Sequence, residues 1–463
     1  MQDYKAEYDV IVVGGGTGGV PAAIAAARNG ASVLLIEKNG FLGGLTTGGL
    51  VRTQTYWVDR DLKEPYVKGI FAEVLERLRE LEALDEDGRT WDEEVLKYVW
   101  EEMSLRAGVQ LLFHSFVFQV EKDGRHLTSV HVANKSGVTP ISGKVFVDCT
   151  GDGDLVALAG AKWVKGRETD GATQAMSMIF RVGGVDMDKL PSASPNSWIQ
   201  SARSKDPSLK EPYDMPHDIA NMHREYLKAK ERGEITSPRP ALFWWRHSRP
   251  GIVHFDHTWV INLDATKAED LTRAEIEGKR QVIELLNFLK RFPAFKNAYL
   301  IQMGSEIGVR EARRIVGEYV LTKDDVLSCR KFDDGIAEGA GPINIKPVNE
   351  AMAETTIIHS REHATYEIPY RCLLPQDIDN LLIGSRCLSV THEALGSVRH
   401  EPIIFGVGQA AGTAASLSSR LGVIPRNLDV KLLQKTLLDQ RVLLFLEDEK
   451  DRENKIRAGL ITG

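Results

Sequence analysis

The chain has 463 residues, 43% hydrophobic and 27% charged, and its 58 basic and 65 acidic side chains leave a formal net charge of −7. That balance excludes a disordered tail and a small disulfide-stapled scaffold. It also gives nucleic acid no general electrostatic reason to bind.

The N-terminal residues Met1 to Asp9 are polar and acidic, unlike a secretory leader. The first apolar stretch, Val10 to Ala27, is broken by glycines and Pro21 and falls short of the roughly 18 to 20 apolar residues a membrane span needs. A cytoplasmic protein with neither a membrane nor a nucleic-acid partner is therefore expected, and a homo-oligomer is left open. Within this stretch Val10-Ile11-Val12-Val13 reads as a buried strand, the glycine cluster as a tight turn, Val20 to Ala27 as a helix ended by Gly30, and Ser32 to Ile36 as a second strand.

Phe71, Val74, Leu75, Leu78 and Leu81 then recur at helical spacing, with Glu73 and Arg77 placed for an i,i+4 pair. A further helix is expected from Trp91 to Ala107, followed by strands up to Val145-Phe146-Val147. From about 170 to 370 the β-α-β rhythm fades and 194 to 215 reads as loop. A capping box at Thr272 and Glu275 predicts one helix there, with Ile276, Val282, Ile283, Leu286 and Leu289 on its apolar face. After 370 the parallel-sheet signature returns, with a strand at Asn380 to Ile383 and a long helix opening near Pro402. The expected fold is α/β: a discontinuous Rossmann-like dinucleotide domain of ββα type (1–170 and 370–463) carrying an inserted mixed α+β substrate or cap domain (171–369).

Gly14-x-Gly16-x-x-Gly19 sits between strand and helix, and Glu37 ends the next strand. Such a turn needs the first glycine, the approach of a pyrophosphate needs the second, and packing of helix on sheet needs the third. The acid is placed to accept hydrogen bonds from ribose hydroxyls. Phe41 to Gly49, with its Gly43-Gly44 pair, and the turn Thr150-Gly151-Asp152-Gly153-Asp154 follow in the order seen in the flavoprotein superfamily that includes glutathione reductase and the fumarate reductase flavoprotein.

The resemblance sharpens further along the chain. Phe146 to Leu155, Arg313 to Tyr319, Ile368 to Pro375 and Gly384 to Arg399 resemble the bacterial FAD-dependent oxidoreductase family, and the likeness runs from about residue 8 to 445. It implies FAD as cofactor. Gly14, Gly16, Gly19, Glu37, Gly43, Gly44 and Asp152 match FAD-contacting positions, with Thr17, Gly18, Lys38, Thr46, Thr150, Gly151 and Gly384 counted beside them. Gly396, Ser397 and Val398, ahead of the helix at Pro402, resemble the segment whose backbone faces the flavin pyrimidine edge. Non-covalent attachment is expected, because Leu42 to Gly49 holds no His or Cys where fumarate-reductase-like relatives place a linking histidine.

His392, Arg399, His400 and Glu401 cluster where the flavin ring should lie. A histidine there can accept a hydroxyl proton, and an arginine can polarise a carbonyl or hold a carboxylate. His392, Arg399 and His400 are the catalytic candidates, although a salt-bridged network ordering the loop would explain the same residues. Arg310, Arg313 and Arg314 read as partners of nearby glutamates. Phe243-Trp244-Trp245 could line a pocket or pack in a core.

No metal is expected. His254, Asp256 and His257 would not share one face of a strand, and Cys149, Cys329, Cys372 and Cys387 form no C-x-x-C pair. The expected activity is hydride transfer between flavin N5 and a small polar organic substrate such as a sugar or hydroxy acid. A structural or non-redox use of the dinucleotide, as in thiazole-synthase-like or RNA-modifying relatives, stays open beside it.

Overall fold

A strand of four consecutive aliphatic residues can be satisfied only where both faces of a sheet are covered, and Val10 to Val13 meet that condition. In the computed structural model, which describes residues 4–5, 7–51, 66–85, 88, 90–205, 215–349, 356–358 and 364–445, strand β1 (Glu7–Val13) lies inside a seven-stranded sheet. The first three residues and the residues beyond 445 that entered the sequence reading lie outside the described set.

Helix α1 (Gly19–Arg28) follows β1, and β2 (Val33–Ile36) returns parallel to it, pairing Val13 with Ile36. Helix α2 (Ile70–Glu80) buries Phe71, Val74, Leu75 and Leu78 as the spacing predicts, whereas Leu81 sits past its end and is exposed. The expected pair of Glu73 with Arg77 does not form. Glu73 instead bridges to Arg28 at 2.7 Å and Arg77 to Glu80 at 2.9 Å. Helix α3 (Glu93–Ala107) starts on its N-cap Asp92 and stops on Gly108 in the left-handed conformation.

Strand β3 (Gln110–Leu112) joins β2 in parallel, and β4 (Phe116–Asp123), β5 (His126–Asn134) and β6 (Gly137–Asp148) form an antiparallel meander. The first half of β6 pairs with β5 and its second half pairs in parallel with β1. Strand Leu381–Ile383, far along the chain, then pairs in parallel with Phe146 to Asp148 of β6. Five parallel strands thus end side by side, at Leu112, Ile36, Val13, Asp148 and Ile383, and such an edge is where open α/β sheets bind ligands.

The architecture is mixed α/β with a Rossmann-like parallel region. A second, four-stranded antiparallel sheet is built from Phe180–Gly183, Trp244–Arg246, Val253–Phe255 and Tyr299–Met303. It has its own hydrophobic cluster, whose residues run from Met176 to Ala312. Residues from Ile315 to Ile368, expected with the insertion, pack into the first cluster.

Two elements within the region expected as the insertion differ from the sequence reading. Pro195–Lys205 is a helix where loop is expected, and 206–214 lie outside the described residues. The helix expected at Thr272 begins a turn earlier, spanning Ala268–Leu289. Glu269 and Asp270 favour the positive end of its first turn, and Thr272 bonds back to the Ala268 carbonyl instead of capping. Its buried stripe includes Val282, Leu286 and Leu289, while Ile276 is 65% exposed and points away. Among the described residues no helix is long and apolar enough to cross a membrane.

Candidate functional site

A cavity of about 680 Å³ opens along the carboxyl ends of the parallel strands and continues to the second sheet. Its floor is the glycine turn. Gly14 has φ +98°, and a Cβ there would stand 2.5 Å from the Cys149 carbonyl oxygen, so only glycine makes this turn. A Cβ on Gly19 would meet the Gly14 carbonyl at 1.8 Å, which is the close packing of helix on sheet. Gly16 differs: a Cβ there would meet only the Gly44 Cα, at 3.9 Å, and Gly16 lines the cavity. The second glycine therefore leaves open the space a pyrophosphate requires. The N-cap Gly18 brings no side chain to the first turn of α1, so that helix end faces the cavity without a side-chain cap.

Glu37 ends β2 at the cavity and is 4% exposed. Its Oε2 accepts from the Gly15 N–H at 2.7 Å and its Oε1 from the Asn39 N–H at 2.8 Å, so it orders the glycine turn as well as facing the cavity. Burial raises its pKa, against the pull of these two N–H groups and Lys38. Lys38 pairs with Glu306 at 2.7 Å. Thr17 and Thr46 touch through their hydroxyls at 2.6 Å, and Thr46 Oγ1 donates to Glu401 Oε1 at 2.9 Å. Thr150, Gly151 and Asp152 line the cavity beyond β6, where Arg386 bonds Asp152 at 2.5 Å.

Several candidates stand off the cavity wall. Gly43 carries φ +117° behind Gly44. Gly384 packs beneath α1, its carbonyl 1.8 Å from where a Gly18 Cβ would be. Gly396, Ser397 and Val398, expected as backbone facing the flavin, belong to the buried helix His392–Val398, which opens on its N-cap Thr391. Ser397 is bonded to Tyr366 and to the Gly341 carbonyl, and Gly396 lies against the strand Ile343–Ile345. The next residues, Arg399, His400 and Glu401, line the cavity in their place, at the start of the helix Glu401–Leu421.

The two histidines part company. His392 is off the cavity wall, and its Nδ1 lies 2.9 Å from Glu311, which also holds Arg314. His392 thus sits in a network of charged side chains with Glu311 and Arg314. His400 does line the cavity, and burial, with Arg399 beside it, lowers its pKa to about 3.

The far half of the cavity carries residues that sequence reading passed over. Arg239 and Lys346 are isolated basic residues in segments without clear periodicity, and no motif marks them. Both face the cavity with Arg310, Asp256, Phe243 and Trp245. Arg310, expected to pair with a nearby glutamate, bonds Asp256 at 3.2 Å. Burial opposes ionisation of Asp256, but Arg310, Arg239 and Lys346 outweigh it and hold the carboxyl down at about 2.

His254, Asp256 and His257 diverge. Asp256 faces the cavity, His257 lies 3.1 Å from the Tyr226 hydroxyl, and His254 stacks on His247 at 5.1 Å. Ligand atoms of Glu93, His247 and His254 come within 4.8 Å of one another, a spacing a metal ion could use. Arg181 already bonds the Glu93 carboxylate and supplies positive charge there. Cys149, Cys372 and Cys387 are buried, and no cysteine is in a disulfide.

Glycine turn, acid and cavity at the ends of parallel strands define a dinucleotide-binding α/β protein. The chain belongs to the FAD dependent oxidoreductase family, whose model matches residues 9–437. It is an oxidoreductase and its cofactor is FAD.

Two curated relatives match shorter stretches. A digeranylgeranylglycerophospholipid reductase of Methanocella arvoryzae is 45% identical over 69 residues, 13% of this chain and 18% of the relative. A dihydrolipoyl dehydrogenase of Acholeplasma laidlawii is 48% identical over 50 residues, 11% of this chain and 15% of the relative. The chain thus spans less than a fifth of the length of these relatives. Among solved structures, a flavin-dependent brominase triple mutant aligns with TM-score 0.45 at 13% identity, covering 93% of this chain and 84% of the other. A geranylgeranyl bacteriochlorophyll reductase-like protein of Thermoplasma acidophilum aligns with TM-score 0.40 at 12% identity, covering 97% and 96%.

Proposed function

We propose that this oxidoreductase transfers a hydride between FAD and a small polar organic substrate held in the far half of the cavity. The observation that carries this reading is continuity: Gly16 and Thr17 of the nucleotide turn, and His400, Arg399 and Asp256, line one cavity. Flavin supplies the hydride acceptor when bound; the chain supplies the rest.

On this reading Gly14 to Gly19, Glu37, Gly44, Thr46 and Thr150 to Asp152 hold the cofactor. The residues from about 176 to 312 form the inserted substrate-facing unit, which closes over it from the side of the second sheet. His400 accepts a hydrogen bond, and then a proton, from the substrate at a ring nitrogen. Its low pKa keeps the imidazole neutral but weak as a base, and an anion placed beside Arg399 would offset part of the repulsion that lowers it and strengthen it as a proton acceptor. Arg399 orients a carbonyl or carboxylate group. His392 acts through Glu311 as a positioning residue.

An anaerobic screen of polar metabolites, sugars and hydroxy acids among them, tests the reading by bleaching of bound flavin. A hydride donor should bleach it within the turnover time and air should restore it. A holoprotein that no metabolite bleaches, and that oxygen and chemical reductants cycle without effect on any substrate, would overturn it.

A further inference from the structure

Burying a cation without a partner is costly, so a protein that gathers several around a cavity has a use for them. Arg239, Arg310, Lys346 and Arg399 all line the far half of the cavity, and Asp256 is the carboxylate bonded into the group. Three guanidinium groups and a lysine amine against one carboxylate leave an excess of positive charge in a buried space.

The four are not equally committed. Arg310 is fully engaged, giving bonds to the Ala175 carbonyl, Ser177 and Asp256. Among the described residues Arg399 has one bond, to the Asn344 carbonyl at 3.0 Å, and its buried Nε meets no acceptor. Arg239 bonds the Asp256 carbonyl through Nη1, and among the described residues its buried Nε meets no acceptor. Among the described residues no acceptor bonds the ammonium of Lys346, although the residue is only 8% exposed. Burial, with Arg239 and Arg310 next, pushes the Lys346 pKa well down, and an anion at this point would restore its charge.

Apolar surface adjoins the cations. The Arg239 guanidinium lies over the Phe243 ring, 4.8 Å from its centroid, and Phe243 tilts against Trp245 with centroids 5.4 Å apart. Both rings line the cavity. A ligand anchored on the cations would have its body against these rings.

We propose that Lys346, Arg399 and Arg239 form a carboxylate-binding subsite, and that the substrate is an organic acid whose flat apolar body packs on Phe243 and Trp245. This rests on the reading that the far half of the cavity takes the substrate.

Calorimetric titration of the oxidised holoenzyme with benzoate and, separately, with the neutral benzamide tests it. Benzoate should bind saturably and benzamide at least roughly tenfold more weakly, the usual worth of hydrogen bonds to a charged group. Lys346→Gln and Arg399→Gln should each weaken benzoate by roughly 10- to 100-fold while retaining FAD.

Equal binding of the two probes, no binding of either at millimolar concentration, or unchanged benzoate affinity in both variants would overturn the proposal. So would loss of FAD in both variants, which would assign the cations to the cofactor. The comparison of probes on the unmodified enzyme decides the matter even where a variant does not fold. Because no turnover is involved, failure here is distinct from failure of the hydride-transfer reading, which would show as an absence of bleaching.

Discussion

Glu37 accepts the N–H of Gly15 at 2.7 Å, so the acid that ends β2 holds the turn that ends β1. The residue expected to meet ribose hydroxyls is therefore part of the scaffold of the phosphate turn. Glu37→Gln keeps one carbonyl acceptor and should lower FAD occupancy only partly. Glu37→Arg strands two backbone donors and buries a cation, and should purify largely without flavin. The ratio of flavin to protein absorbance reads both, and full flavin content in the arginine variant would separate Glu37 from the cofactor.

His400 and His392 should respond differently. His400→Gln should slow flavin reduction by a factor of roughly 10² to 10⁴ with the FAD spectrum nearly intact. His392→Gln leaves Glu311 its bond to Arg314 and should chiefly lower stability. Stopped-flow reduction alongside thermal melting distinguishes the pair, and equal rate losses in both would give His392 a direct role.

The depressed pKa of His400 also makes stability depend on pH. Its folded value, about 3, lies below the ordinary 6.5, so the unfolded chain binds the proton more tightly in between. The contribution is present above about 6.5 and is lost as pH falls toward 3. Between pH 6.5 and 5 the parent protein should lose about 1 to 2 kcal/mol more than His400→Gln, at about 1.4 kcal/mol per pH unit. Denaturant titrations at the two pH values measure it, and parallel losses would refute the assignment.

NADH and NADPH should reduce the flavin slowly. A further run of glycines, Gly406-x-Gly408-x-x-x-Gly412, departs from the fingerprint spacing and lies inside the helix Glu401–Leu421. A Cβ on Gly408 would stand 2.1 Å from the Gly18 carbonyl, and one on Gly412 1.9 Å from that of Ala22. The last two thus close a helix crossing. Gly412→Ala should cost about 1 to 3 kcal/mol by overpacking, and rapid anaerobic bleaching by either nucleotide would contradict the single-fingerprint reading.

The flavin should be released by acid. Precipitation with trichloroacetic acid should leave the yellow colour in the supernatant, since Leu42 to Gly49 offers no histidine or cysteine to link it. Colour retained in the pellet would point to another attachment residue.

What was legible in the sequence was local. The glycine turn, Glu37 and the strands around them announce themselves because their spacing is dictated by one backbone geometry. The cation cluster was not legible, because Arg239, Arg310, Lys346 and Arg399 come from four separated stretches, and only the tertiary fold gathers them. The glycines of the Glu401–Leu421 helix serve a close helix crossing, which asks for the same residue a phosphate turn does, and Pro402 ahead of them marks the helix. Thr391 capped a helix where loop was expected, so the backbone facing the cavity moved from 396–398 to 399–401.

Strand Leu381–Ile383 covers the flank of β6, and Gly384 supports the turn of α1 from below. The first 150 residues carry the fingerprint, but a ribosome must add roughly 230 more before this flank is covered. At about 5 to 20 residues per second that delay is roughly 12 to 46 s. During it the emerging chain exposes an unpaired strand edge beside β6 and a cofactor seat whose support by Gly384 is still missing.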